Sequence, residues 1–191
     1  MRVFIAVLVL IFSFQSWTKA DDIKDFEIEG MSIGESLLDY FSEDEIKKAI
    51  RENQYPGKDG KFIEIQFHHK NDSFLKTFEG FQIIYKKNDK NYKIYSLTGG
   101  LFFGRDINAC LEKQKIIEKD LSILFKNTER QALKKKYIWD KTGKSYLHFI
   151  VHYFGTEDRI EITCYELAEH LHREHYLAVG VDTKEFMDWL D

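Results

Sequence analysis

The densest group of side chains that could do chemistry is Glu169-His170-Leu171-His172-Arg173-Glu174-His175. Imidazole is the commonest protein ligand for zinc, copper and nickel, and three histidines so close together converge if the loop folds back. His170, His172 and His175 are therefore candidate ligands for zinc or another transition metal, and one functional reading is a metal-binding protein or metal-dependent hydrolase. Against this, Arg173 brings a positive charge into the cluster, and the spacing does not match the His-Glu-x-x-His pattern of a metalloprotease helix. The alternative is a solvated loop. No Gly-x-Ser-x-Gly elbow, Walker loop or dinucleotide fingerprint occurs, and no pair of acids is singled out as acid and base, so no residue is assigned a catalytic role.

Two more groups depend on the strands that carry them. Residues 145–167 read as two strands joined by a tight turn. In the first, Leu147, Phe149, Val151 and Tyr153 share one parity and Tyr146, His148, Ile150 and His152 the other. In the second, Ile160, Ile162 and Cys164 alternate with Glu161, Thr163 and Tyr165. A turn centred on Thr156-Glu157 pairs Tyr153 with Ile160, Val151 with Ile162 and Phe149 with Cys164, which keeps apolar against apolar. Cys164 then lies on the core face, while His148, Ile150, His152 and Tyr165 lie on the outward face, with Glu161 beside His152. Phe62 and Ile84 have the same outward parity in two earlier strands. Apolar and aromatic side chains mixed with histidines on a sheet face make a candidate binding face for a protein or small ligand. The alternative is a face covered by the chain's own segments, such as the Phe102-Phe103 loop or the terminal helix.

The earlier elements follow from period and capping. Phe26-Glu27-Ile28-Glu29 alternates as a strand or an extended lead-in would, and ends at Gly30. Ser32 to Glu35 and Ser42 to Glu45 each fit a capping box, which predicts two short helices before a turn at Tyr55-Pro56-Gly57. Strand patterns follow at 62–68, 81–86 and 92–97. An Asn88-Asp89 turn there sets Tyr85 against Tyr92 and Ile83 against Ile94. Gly99-Gly100 and Gly104 read as a loose loop. Asp106 caps a long helix whose apolar stripe includes Ile107, Cys110, Leu111, Gln114, Ile117, Leu121 and Leu124. Both cysteines therefore point into one helix–sheet interface, which favours a Cys110–Cys164 disulfide and leaves no free thiol nucleophile. Residues 128–136 read as the frayed basic end of that helix. A last strand from His175 to Val181 and a capped terminal helix complete the chain.

The fold expected is α+β: antiparallel sheet with helices packed on one face, arranged as two helix-plus-three-strand units. Residues 21–191 have the length of a single domain. Arg2 followed by the apolar run 3–14 and the small residue Ala20 has the layout of a cleaved secretory signal over residues 1–20. The apolar run falls short of the roughly twenty residues a spanning helix needs, so no stable membrane insertion is expected after cleavage. The mature protein is expected to be periplasmic or secreted. The whole chain carries a formal charge of −4, and losing Arg2 and Lys19 makes it more acidic. Nucleic acid is therefore not an expected partner.

The run FEIEGMSIGESLLDYF from Phe26 to Phe41, with DLSILF from Asp120 and KEF from Lys184, resembles a group of small, uncharacterised exported bacterial proteins, a likeness that brings no activity with it. The Gly30-Met31-Ser32 opening also resembles the start of the helix–helix–meander repeat of β-lactamase-inhibitor proteins and of a small outer-membrane assembly lipoprotein. The chain lacks the lipoprotein's lipid-attachment cysteine, so anchoring is not implied. The second resemblance implies a protein-binding module. The primary expectation is an exported, non-catalytic binding or interaction module without a cofactor.

Overall fold

A computed structural model of the chain describes residues 22–51, 55 and 58–191. The expected signal segment and the Pro56-Gly57 turn lie outside the described residues. The strands are β1 (Ile50–Arg51), β2 (Phe62–His68), β3 (Gly80–Lys86), β4 (Ile94–Phe102), β5 (Glu129–Lys136), β6 (Tyr146–Tyr153), β7 (Arg159–Glu166) and β8 (Tyr176–Asp182). The α-helices are α1 (Glu43–Ala49), α2 (Ile107–Leu124) and α3 (Lys184–Leu190). The strands form one eight-stranded sheet in the order β1-β2-β3-β4-β8-β7-β6-β5, antiparallel at every junction. The α+β class is as expected, but each half is a helix followed by a meander of four strands rather than three. The halves join through their last strands, β4 and β8.

Register sorts the side chains into two faces. Ile65, Phe67, Phe81, Ile83, Leu97, Leu177, Val179, Val181, Ile160, Ile162 and Cys164 pack with Ile46 of α1 and with Cys110 and Leu121 of α2 in the main core. α2 begins where Asp106 Oδ1 accepts from Ala109 N at 3.0 Å. It is tied to the sheet by the Cys110–Cys164 disulfide. Gln114 adds a second tie, its Nε2 donating to the carbonyls of His148 at 2.6 Å and Ile162 at 2.7 Å. α1 has the expected capping box between Ser42 and Glu45, and Ser42→Ala should remove about 1 kcal/mol. α3 lies on the opposite face, where Phe186 packs on Phe62, Ile84 and Tyr95.

Several local expectations need correction. Phe26 to Glu29 is not a strand, because Glu29 and Gly30 adopt positive φ of 54° and 79° in a turn closed by the Ile28–Met31 bridge. At Ser32, Glu35 Oε2 does accept from Ser32 N at 2.7 Å. No α-helix follows, because Gly34 has φ 90° and the backbone turns to bond Ile94 O and Tyr92 O. Gly99 and Gly100 lie inside β4, not in a loop. A Cβ on Gly99 would fall 2.4 Å from the Phe78 ring, so that glycine makes room for the ring. Residues 129–136 form the edge strand β5 rather than a frayed helix end. Lysines on an edge strand disfavour its pairing with another chain. In β3–β4, Ile83 pairs with Leu97 and Tyr85 with Ile94, with a bulge between Ile84 and Tyr85. The loop there is wider than a tight Asn88-Asp89 turn, and Asp89 accepts from the amides of Asn91 and Lys93.

The largest correction is in β6–β7. Phe154 N bonds Asp158 O, and Glu157 takes φ 65°, so the loop has three residues with its last in the left-handed region. The ladder is therefore one residue out from the expected one: His148 faces Cys164, Ile150 faces Ile162 and His152 faces Ile160. A one-residue slip moves every side chain of a strand to the other face. His148, Ile150 and His152 are on the helix side.

Candidate functional site

The face opposite α1 and α2 is only half covered. Along β2, β3, β4, β8 and β7 the ladders bring side chains into rows that cross the strands. One row reads Gln66, Gln82, Thr98, Gly180 and Glu161. The next reads His68, Gly80, Gly100, Ala178 and Thr163. On the other side of the first row run Glu64, Ile84, Ser96, Asp182 and Arg159. Glycines at 100 and 180 and the small Ala178 leave the middle of the sheet bare, and a trough of about 460 Å³ opens over it. Tyr55 and the α3 residues Phe186, Met187 and Leu190 close one end, while Phe102, Tyr176, Tyr165 and Arg173 line the other. Along β4 the trough runs from Ser96, at the α3 end, to Phe102 at the other, about 20 Å at ~3.3 Å per residue.

Its floor is polar and preorganised. Arg159 contacts Glu161 at 3.1 Å and Asp182 at 3.3 Å, and Ser96 Oγ donates to Asp182 Oδ1 at 2.6 Å. Burial raises the Glu161 carboxyl, with Arg159 and the Thr163 hydroxyl pulling the other way. Burial works against the Arg159 charge, but Glu161 and Asp182 outweigh it and its pKa is raised. At the α3 end, burial also raises Glu64, which accepts from the amides of Gln66 and Gln82. Tyr165 and Tyr176 stack with ring centroids 4.0 Å apart. Burial pushes the Tyr165 phenol up to about 12 and raises that of Tyr176 as well, so both phenols stay neutral. The floor offers hydrogen bonds, charge and stacking. Glu64 and Glu161 stand four strands apart, about 19 Å, well beyond the roughly 5–9.5 Å between two carboxylates that work on one bond.

No protein-family model, curated protein or solved structure matches the chain. Of the expected binding face, Phe62 and Ile84 are each only 3% exposed beneath α3, and Ile84 and Tyr165 line the trough. His148 Nε2 lies 2.8 Å from Glu166 Oε2 on the other face. Ile150 is buried there. His152 is buried with Nδ1 3.0 Å from Thr128 Oγ1. Because that hydroxyl donates to Phe125 O, Nδ1 of His152 carries the proton, and Nε2 has no hydrogen-bond partner among the described residues. Burial lowers the His152 pKa, the Arg130 charge adds to this and Glu118 opposes it.

The histidine cluster is not drawn together. His170 Nε2 lies 3.1 Å from Asp140 Oδ1. His172 occupies a left-handed C-cap with φ 51°. Nδ1 of the buried His175 accepts from Leu167 N at 3.0 Å. Among the described residues, no three His, Cys, Asp or Glu side chains gather as a metal ion requires. Ser145, Asp140 and His170 are adjacent but do not form a nucleophilic triad: the buried Ser145 hydroxyl donates to Asp140 at 2.7 Å rather than to the imidazole. Sequence reasoning missed Arg159, Asp182, Gln82, Thr98 and Tyr176. The available signal was the pair of in-strand glycines, Gly100 and Gly180, which mark where a sheet face loses its side chains.

Proposed function

We propose that the chain is an exported, non-catalytic binding module that takes an extended polar segment of a partner protein into the sheet-face trough. The observation that carries this reading is the bare strip at Gly100, Gly180 and Ala178 between two aromatic ends. At ~3.3 Å per residue its length suits an extended segment of about six residues. The Arg159–Glu161–Asp182 group would fix the segment's polar atoms, and Tyr165 and Tyr176 would supply rigid, amphipathic contact area. Export rests on the N-terminal apolar run and on the disulfide, which suits an oxidising compartment such as the periplasm. Among the described residues, no helix is long and apolar enough to cross a membrane.

The test is a photo-reactive amino acid placed at Phe102, with Ile116 on the exposed side of α2 as the control position, in an exporting host. A discrete cross-linked adduct should form from position 102 and not from 116. It should disappear in Gly100→Leu, since a Cβ at Gly100 meets nothing closer than 3.8 Å and the substitution fills the trough without straining the sheet. Equal adducts from both positions, or an adduct that survives Gly100→Leu, would remove the trough from the reading.

A further inference from the structure

A second surface is independent of the trough. The loop joining β5 to β6 is two consecutive turns, closed by Asp140 N to Tyr137 O and Gly143 N to Asp140 O, each 3.0 Å. The central residues of the first turn are Ile138 and Trp139, which are 74% and 69% exposed. Large apolar side chains at a loop apex are usually turned inward or mobile. Here the loop is braced so that they project. Asp140, at its base, is 5% exposed and accepts from Thr142 N and Oγ1 and from Ser145 Oγ, with His170 Nε2 alongside. Burial works against the Asp140 charge, but these bonds outweigh it and hold the carboxyl far below the usual range. Ser145 Oγ in turn accepts from Ala168 N. Tyr137 packs edge-on against Tyr165.

The charge around this tip is opposite to that of the chain. Between residues 130 and 144 lie Arg130, Lys134, Lys135, Lys136, Lys141 and Lys144, and the one carboxylate is the buried Asp140. Lys134 is engaged by Glu166 at 3.0 Å and Arg130 by Glu118 at 2.7 Å, while Lys135, Lys136, Lys141 and Lys144 are exposed. An acidic protein thus carries a rigid Trp/Ile wedge with lysines on both flanks. Tryptophan favours the headgroup layer of a bilayer, and lysines near it are drawn to anionic lipid.

We infer that the β5–β6 hairpin tip docks reversibly on an anionic membrane surface, with Trp139 and Ile138 in the headgroup layer and the lysines on lipid phosphates. The contact is peripheral and needs no membrane-spanning segment.

The test uses protein recovered from an exporting, oxidising host and mixed with vesicles of phosphatidylcholine alone or with 30% phosphatidylglycerol. The readout is the emission of Trp139 itself, taken as wild type minus Trp139→Phe, so that binding through any other segment does not contribute. The expected result is a blue shift with the anionic vesicles only, reversed by 0.5 M salt. Partitioning should weaken at least tenfold in Ile138→Ser and in Lys141→Glu/Lys144→Glu, each checked for an unchanged melting temperature. No shift with either vesicle, or an equal shift with both, would overturn the inference. So would a blue shift without vesicles that grows with protein concentration, which would assign the wedge to self-association.

Discussion

Removing the disulfide should cost about as much as a large core truncation. The bridged cysteines are 54 positions apart, and releasing a loop of that length returns about 4 kcal/mol of freedom to the denatured chain in the loop-entropy account. The perturbation is best made in two ways, by reducing the wild type and by the double substitution Cys110→Ala/Cys164→Ala. The alanine pair also loses buried atoms, so the reduced protein isolates the bond. With a urea m-value of about 2–3 kcal/mol/M, the equilibrium midpoint followed by circular dichroism should fall by about 1.3–2 M. The slope should change little if the denatured chain expands to a similar extent. A fall of less than ~0.4 M, under roughly 1 kcal/mol, would refute the reasoning. It would mean that α2 stays against β7 after global unfolding.

Gly99→Ala should destabilise by about 1–3 kcal/mol, because the new methyl collides with the Phe78 ring in a packed core. Gly100→Ala, one position along and facing open space, should melt within a degree or two of wild type. Phe186→Ala should cost about 3–5 kcal/mol and make Phe62, Ile84 and Tyr95 accessible to a hydrophobic dye. Ile84→Asp should show the same exposure rather than the clean loss of partner binding expected of a surface residue. Acidification should weaken the fold through His152 and His175, whose pKa values are both lowered mainly by burial. Just below the ordinary histidine value of about 6.5 the unfolded chain binds the extra proton, so their stability contribution is complete above that pH and is lost as pH falls toward the folded-state values. The raised carboxyls of Glu64 and Glu161 act in the opposite sense. The test is therefore the difference in urea midpoint between wild type and His152→Asn at pH 7.5 and pH 5.5. The two should converge at the lower pH, and parallel profiles would rule His152 out.

What was legible in the sequence was whatever one element determines by itself. The period of α2, its Asp106 cap, the Ser42–Glu45 box and the parity of each central strand are local patterns, and they sufficed to bring Cys110 and Cys164 to one interface. The register between strands was not legible, because a hairpin whose loop gains one residue changes the pairing without changing any strand's pattern. Glu157 in the left-handed conformation makes that difference, and it alone sends His148, Ile150 and His152 to the helix side. β5 carries no apolar alternation since its neighbours bury almost nothing of it. The trough eluded residue-type reasoning because its defining feature is missing side chains. Gly99 and Gly100 looked like a loop when they are a strand with a ring packed against one face and open space over the other.

The position of α3 has a consequence for the order in which the molecule can be completed. Phe62, Ile84 and Tyr95 belong to the first half of the chain, yet the side chains that seal them, Phe186 and Trp189, come from its last helix. A chain made N-terminus first must hold that apolar patch open until α3 arrives. The first half can pair β2, β3 and β4 early, but it cannot close as an independent foldon, and β4 also waits for β8. A protein truncated before α3 should therefore fail in its earliest-made part.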